Sequence, residues 1–94
     1  MKNAAKELIR FALSRNNTVS VHDGEEWQLK RSNKYRAIID AIASVDEAQI
    51  RIRHCEGPVL AWARVTLFGV AADETVIDCS DNTYMEEFDA TINA

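Results

Sequence analysis

The sequence has little glycine and almost no proline, three and one among 94 residues. It therefore has no glycine-rich loop to cradle a phosphate and no Pro/Ser-rich linker to divide the chain. Cysteine is also scarce. Cys55 and Cys79 stand alone, without the close ligand pairs that zinc sites usually bring. There is no cationic excess either. The net charge is −4, which does not favour nonspecific nucleic-acid binding. No apolar run approaches the length that spans a membrane, so no membrane partner is expected. Met1-Lys2-Asn3 runs straight into a helical pattern rather than into the apolar core of a secretory leader. The expected location is the cytoplasm, with both thiols reduced.

What is present suits an ordinary globular protein. Hydrophobic residues make up 47% of the chain and are spread along it, which excludes wholesale disorder. The length suits one domain over residues 1–94 and is too short for two. The charge is uneven. Residues 1–54 carry ten Lys/Arg against seven Asp/Glu, a net of +3; residues 55–94 carry one Arg against eight Asp/Glu, a net of −7. Such a division marks either an interaction surface or two halves that attract each other within the fold.

Hydrophobic period sets the elements. Ala5, Leu8, Ile9, Ala12 and Leu13 predict a first helix over Asn3–Arg15, ended by Asn16-Asn17. A hairpin follows, with Val19 and Val21 on one strand and Trp27 and Leu29 on the other. A three-residue loop, His22-Asp23-Gly24, sets Val19 opposite Trp27 and keeps all four apolar residues on the covered face, with Gly24 at positive φ. Ser32 is the expected cap of a second helix, about Asn33 to Ser44, with a stripe of Tyr35, Ile38, Ile39 and Ile42. Gln49–Cys55 and Pro58–Phe68 read as strands joined by a two-residue Glu56-Gly57 turn. That register pairs Ile52 with Ala61 and Ile50 with Ala63. It turns Ile50, Ile52, Val59, Ala61, Ala63, Val65 and Leu67 inward. Gly69–Glu74 reads as a loop, and Thr75–Cys79 as a last strand with Ile77 and Cys79 inward. Thr83 and Glu86 suggest a capping box for a last helix that buries Met85, Phe88 and Ile92, with Tyr84 at the margin. The order α-β-β-α-β-β-β-α predicts a two-layer α+β domain, a single antiparallel sheet with helices on one face.

Several runs carry a resemblance. They are Val19-Ser20-Val21-His22-Asp23-Gly24-Glu25-Glu26-Trp27 with Leu29-Lys30-Arg31-Ser32, then Ala41-Ile42-Ala43-Ser44-Val45-Asp46-Glu47. Asp73-Glu74-Thr75-Val76-Ile77, Asp81-Asn82 and Met85-Glu86 follow. The pattern resembles small uncharacterised proteins encoded in tailed-phage genomes and prophages, over roughly residues 4–88. Those relatives often have Gly before the tryptophan and a glycine-rich loop before the last strand. Ala61 and Val70-Ala71-Ala72 stand here instead. The resemblance implies a phage or prophage setting in a bacterial cytoplasm and no particular activity.

Candidate chemistry is sparse. His22, His54, Cys55 and Cys79 could ligate zinc, but His54 and Cys55 are adjacent on a predicted strand and should point to opposite faces. The same geometry argues against a Cys–His catalytic pair. Asp78, Asp81 and Glu86 offer carboxylates, yet Asp81 and Glu86 sit where helix-start acids belong. No catalysis, metal or cofactor is expected. Lys30, Arg31, Lys34 and Arg36 form a basic cluster beside the second helix. The outward sheet face combines Thr18, Ser20, His22, Gln28, Lys30, Arg51, Arg53, Trp62, Arg64, Thr66 and Asp78. Tryptophan and arginine are the types enriched in binding hot spots. The expectation is a non-enzymatic interaction protein that meets a protein partner, or a second copy of itself, through Trp62, Arg51, Arg53 and Arg64. The alternative is a nucleic-acid-associated protein. It requires Lys30, Arg31, Lys34, Arg51 and Arg53 to share one continuous surface.

Overall fold

A computed structural model describes residues 3–67 and 75–92. Helix α1 (Ala4–Ser14) leads into strands β1 (Asn17–His22) and β2 (Trp27–Ser32), then α2 (Tyr35–Ala43). Strands β3 (Ala48–His54), β4 (Val59–Val65) and β5 (Val76–Cys79) follow, and α3 (Thr83–Ile92) ends the described chain. The five strands form one antiparallel sheet in the order β2-β1-β3-β4-β5. This is the α+β architecture expected from the element order.

One face of the sheet is closed by the helices. Val19, Val21, Ile50, Ile52, Ala61, Ala63 and Val65 line it and are each 2% exposed or less. Leu8, Ile9 and Ala12 of α1, Ile38 and Ile42 of α2, and Met85 and Phe88 of α3 pack onto them in one core. The pairs Ile52–Ala61 and Ile50–Ala63 form as predicted. Phe11, outside the predicted stripe, is also buried. It meets Tyr84 edge-on at 5.3 Å and Phe88 at 5.6 Å, and so joins α1 to α3. Asn3 caps α1 by accepting from the Lys6 N–H, and buried Thr75 accepts from the Ala5 N–H at 2.8 Å. Asn16 ends α1 in the left-handed region, φ 60°, as expected.

The hairpin differs from the reading of its parity. Val21 faces Leu29, but His22 faces Trp27, and Val19 lies opposite Ser32 rather than Trp27. The loop runs from Asp23 to Glu26. The Asp23 carboxylate accepts from the N–H groups of Glu25 and Glu26, both at 2.8 Å, and from the Gln28 amide at 2.6 Å. These bonds lower the Asp23 pKa, the Glu26 N–H most, then the Glu25 N–H and the Gln28 amide. The extra residue, Gln28, bulges out and reverses the side on which Trp27 falls. Trp27 therefore leaves the covered face and Leu29 stays on it. Gly24 has φ +103°, as expected for this loop.

Other boundaries move for local reasons. Pro58 has no N–H, so it cannot complete a closing pair with Cys55 around a two-residue turn. Instead His54 N–H donates to the Pro58 carbonyl around residues 55–57. A register shift beyond Ile52 then sets Val59 opposite Arg53, and Val59 is exposed rather than inward. A second shift, beside Arg64, turns Val76 toward the core and leaves Ile77 45% exposed. Strand β4 ends at Val65, so Thr66 lies beyond it, buried, its hydroxyl bonded to the Asp46 carbonyl. Ser32 belongs to β2 and accepts from the Lys34 N–H, so α2 starts at Tyr35. Asn82, not Thr83, caps α3 by accepting from the Met85 N–H. The predicted loop Gly69–Glu74, the end of the long strand at Phe68 and the Ile92 side chain lie outside the described residues.

Candidate binding face

The sheet's other face carries the residues that alternate with the core. A row crosses it: Ser20 on β1 is opposite Arg51 on β3, and Arg51 is opposite Trp62 on β4. Trp62 is 36% exposed. The relocated Trp27 joins this row from β2. The Arg51 guanidinium carbon lies 4.9 Å from its ring centroid, and His22 meets the ring edge-on at 4.8 Å. Arg51 therefore stands between both tryptophans of the chain. Periodicity alone could not have placed Trp27 here. The signal was Asp23 itself, an aspartate whose carboxylate can accept from the N–H groups two and three residues on and so hold a longer loop.

A second irregularity brings the cations together. Strict alternation would send Lys30 and Arg31 to opposite faces. A bulge between the Val19 and Val21 pairings leaves both residues opposite Ser20, with the Arg31 N–H donating to the Ser20 hydroxyl at 2.9 Å. Arg31 takes φ 48°, a left-handed conformation that a side-chain-bearing residue adopts at a cost of about 1 kcal/mol or more. The result is a concavity of about 230 Å³ lined by Ser20, Trp27, Lys30, Arg31, Arg51 and Arg53. Among the described residues none of these four cations makes an ion pair. The predicted basic cluster is otherwise divided. Lys34 sits at the N-cap of α2, and Arg36 lies 3.9 Å from Asp40 on the same helix. Four of the five residues required by the nucleic-acid alternative share the face, and Lys34 is apart from them.

The other end of the face is acidic. A wider concavity, about 480 Å³, is lined by Trp62, Arg64 and the carboxylates of Asp23, Glu47 and Asp78, among others. Arg64 lies 3.8 Å from Asp78, both exposed. Of the ion pairs among the described residues, only Arg15–Glu87, at 2.7 Å, joins the basic first part of the chain to the acidic last part. Most of the charge asymmetry is thus not consumed by pairing within the fold.

Two other candidate groups lie elsewhere. Cys55 is in the turn rather than on the strand, and its Sγ lies 3.9 Å from His54 Nδ1. The opposite-face argument for this pair therefore fails. His54 Nδ1 also accepts from the Glu56 N–H, and Cys55 is exposed, with the Asn16 amide 3.7 Å from its sulfur. Cys79 packs against the core. Burial raises its thiol pKa most, with Asp78, Asp89 and Asp81 adding to the rise. Among the described residues no three His, Cys, Asp or Glu side chains gather where they could hold a metal, and no helix is long and apolar enough to cross a membrane. No family model, curated protein or solved structure matches the chain. A phage or prophage setting thus rests on the resemblance of the residues alone.

Proposed function

We propose that the protein is a non-enzymatic binding module whose working surface is the open face of its sheet. The observation that carries this reading is the row Trp27–Arg51–Trp62, two tryptophans and a guanidinium left outside the core on a face that none of the described helices covers. An antiparallel sheet needs only one packed face, and its wet face is normally polar throughout. Two large aromatics there cost hydrophobic burial that the core could have used. The sequence by itself points to a protein partner or a second copy. The four cations around Trp27, none of them ion-paired among the described residues, support an anionic partner instead. A phage or prophage accessory role is what the resemblance adds.

The reading is tested with Trp62→Ala and Trp27→Ala. Neither side chain belongs to the core cluster, so both variants should keep the far-UV circular dichroism of the parent. Self-association by sedimentation and partner capture should weaken in at least one of them. If both variants fold and neither measurement changes, the face is only solvated and the reading fails.

A further inference from the structure

We infer that the basin around Trp27 is a site for single-stranded nucleic acid, an inference that rests on the binding-face reading above. The basin holds Lys30, Arg31, Arg51 and Arg53 around one aromatic ring, with the Ser20 hydroxyl between the two cationic strands. Arg51 and Arg53 are two positions apart on β3, about 7 Å along the strand. Lys30 and Arg31 flank Ser20 on the other side. Two short files of cations therefore border one shallow trough. A phosphate backbone is the ligand that presents charges in file, and its binding draws on such unpaired cations.

The ring selects among polyanions. The Arg51 guanidinium carbon already lies 4.9 Å over the Trp27 ring centroid, so the pair offers a ring and a guanidinium plane, the two kinds of surface on which an unstacked base rests. A run of Asp and Glu side chains supplies charge but no ring. A protein interface also needs an apolar centre and is depleted in lysine, whereas among the described residues the only large apolar side chain lining this basin is Trp27. A duplex keeps its bases stacked and out of reach of the ring. Its second strand would also approach the carboxylates of Asp23, Glu47 and Asp78 at the acidic end of the same face. Those carboxylates confine the footprint to a few nucleotides.

The test is fluorescence anisotropy of a labelled oligodeoxythymidine of about fifteen nucleotides, titrated with the full chain. Saturable binding at low salt is expected, with a Kd of about 100 µM or tighter. With up to four phosphates neutralised on a single strand, log K should fall against log salt with a slope of about −3. Trp27→Ala should weaken binding about tenfold or more through the lost stacking platform. Lys30→Ala and Arg51→Ala should each reduce the slope by about 0.7. If Trp27→Ala does not fold, the two charge variants, at exposed positions, carry the test. Absence of saturable binding by the folded parent overturns the inference. So does binding indifferent to the charge variants, or equal binding of a duplex or of polyglutamate. If polyglutamate or self-association responds to these variants while the oligonucleotide does not bind, the binding-face reading survives and only the ligand class is wrong. If no interaction responds to any of them or to Trp62→Ala, both fall.

Discussion

The two faces of one sheet follow different rules. On the covered face Val19, Val21, Ile50, Ile52, Ala61, Ala63 and Val65 all lie where alternation puts them. On the open face and at the strand ends, alternation breaks. Gln28 bulges and carries Trp27 outward, a second bulge puts Lys30 and Arg31 together, and register shifts expose Val59 and Ile77. The difference is energetic. A one-residue slip within the buried rows would expose an aliphatic side chain and bury a charged one, so packing holds the register there. Near turns and edges an extra residue costs little, and it can re-aim a side chain. In this protein the departures from regular pairing help to build the candidate site.

Ile52→Ala removes a fully buried side chain from the central strand and should cost about 2–5 kcal/mol in urea denaturation. A cost below about 1 kcal/mol would mean that the covered face is not the core. At the hairpin, Gly24→Val should cost about 1–3 kcal/mol. Nothing lies within 4 Å of an added Cβ, so the penalty comes from φ +103° alone. A neutral result would indicate a different loop and would remove the reason for Trp27's position.

A third measurement sharpens the contrast on the helix side. Tyr84 donates to Asn17 at 2.8 Å, and burial pushes its pKa up to about 12, with Arg15 opposing and Glu87 adding to the rise. The folded state holds the proton more tightly than the unfolded chain, whose pKa is near 10. The stability from this group is therefore fully present below pH 10 and is lost as pH rises toward 12. Tyr84→Phe should cost about 1 kcal/mol at neutral pH and flatten the alkaline decline, as followed by denaturation across that window. An unchanged pH profile would show that Tyr84 is solvated. The smallest effect belongs to the open face. Arg64→Ala breaks an exposed pair with Asp78 and should change stability by no more than about 0.5 kcal/mol. A larger loss would show that this face contributes to folding after all.

Local pattern determined much of this protein. The stripes Ala5–Leu8–Ile9–Ala12 and Ile38–Ile39–Ile42, and the alternation along β3 and β4, specify α1, α2, the two central strands and their inward rows. Periods of 3.6 and 2 leave those residues only one face to bury. Trp62, Arg51 and Arg53 on the outward rows were legible for the same reason. Only the tertiary structure decided what accompanies them. The pairing of β1 with both β2 and β3 brings Lys30 and Arg31 beside Arg51 and Arg53, positions some twenty residues apart. The bonds that gather around Asp23 decide the side on which Trp27 emerges. Sequence period is a local property and cannot register a bulge. The bulge is a compromise between a loop that satisfies its own polar groups and a strand pair whose buried members must stay in line.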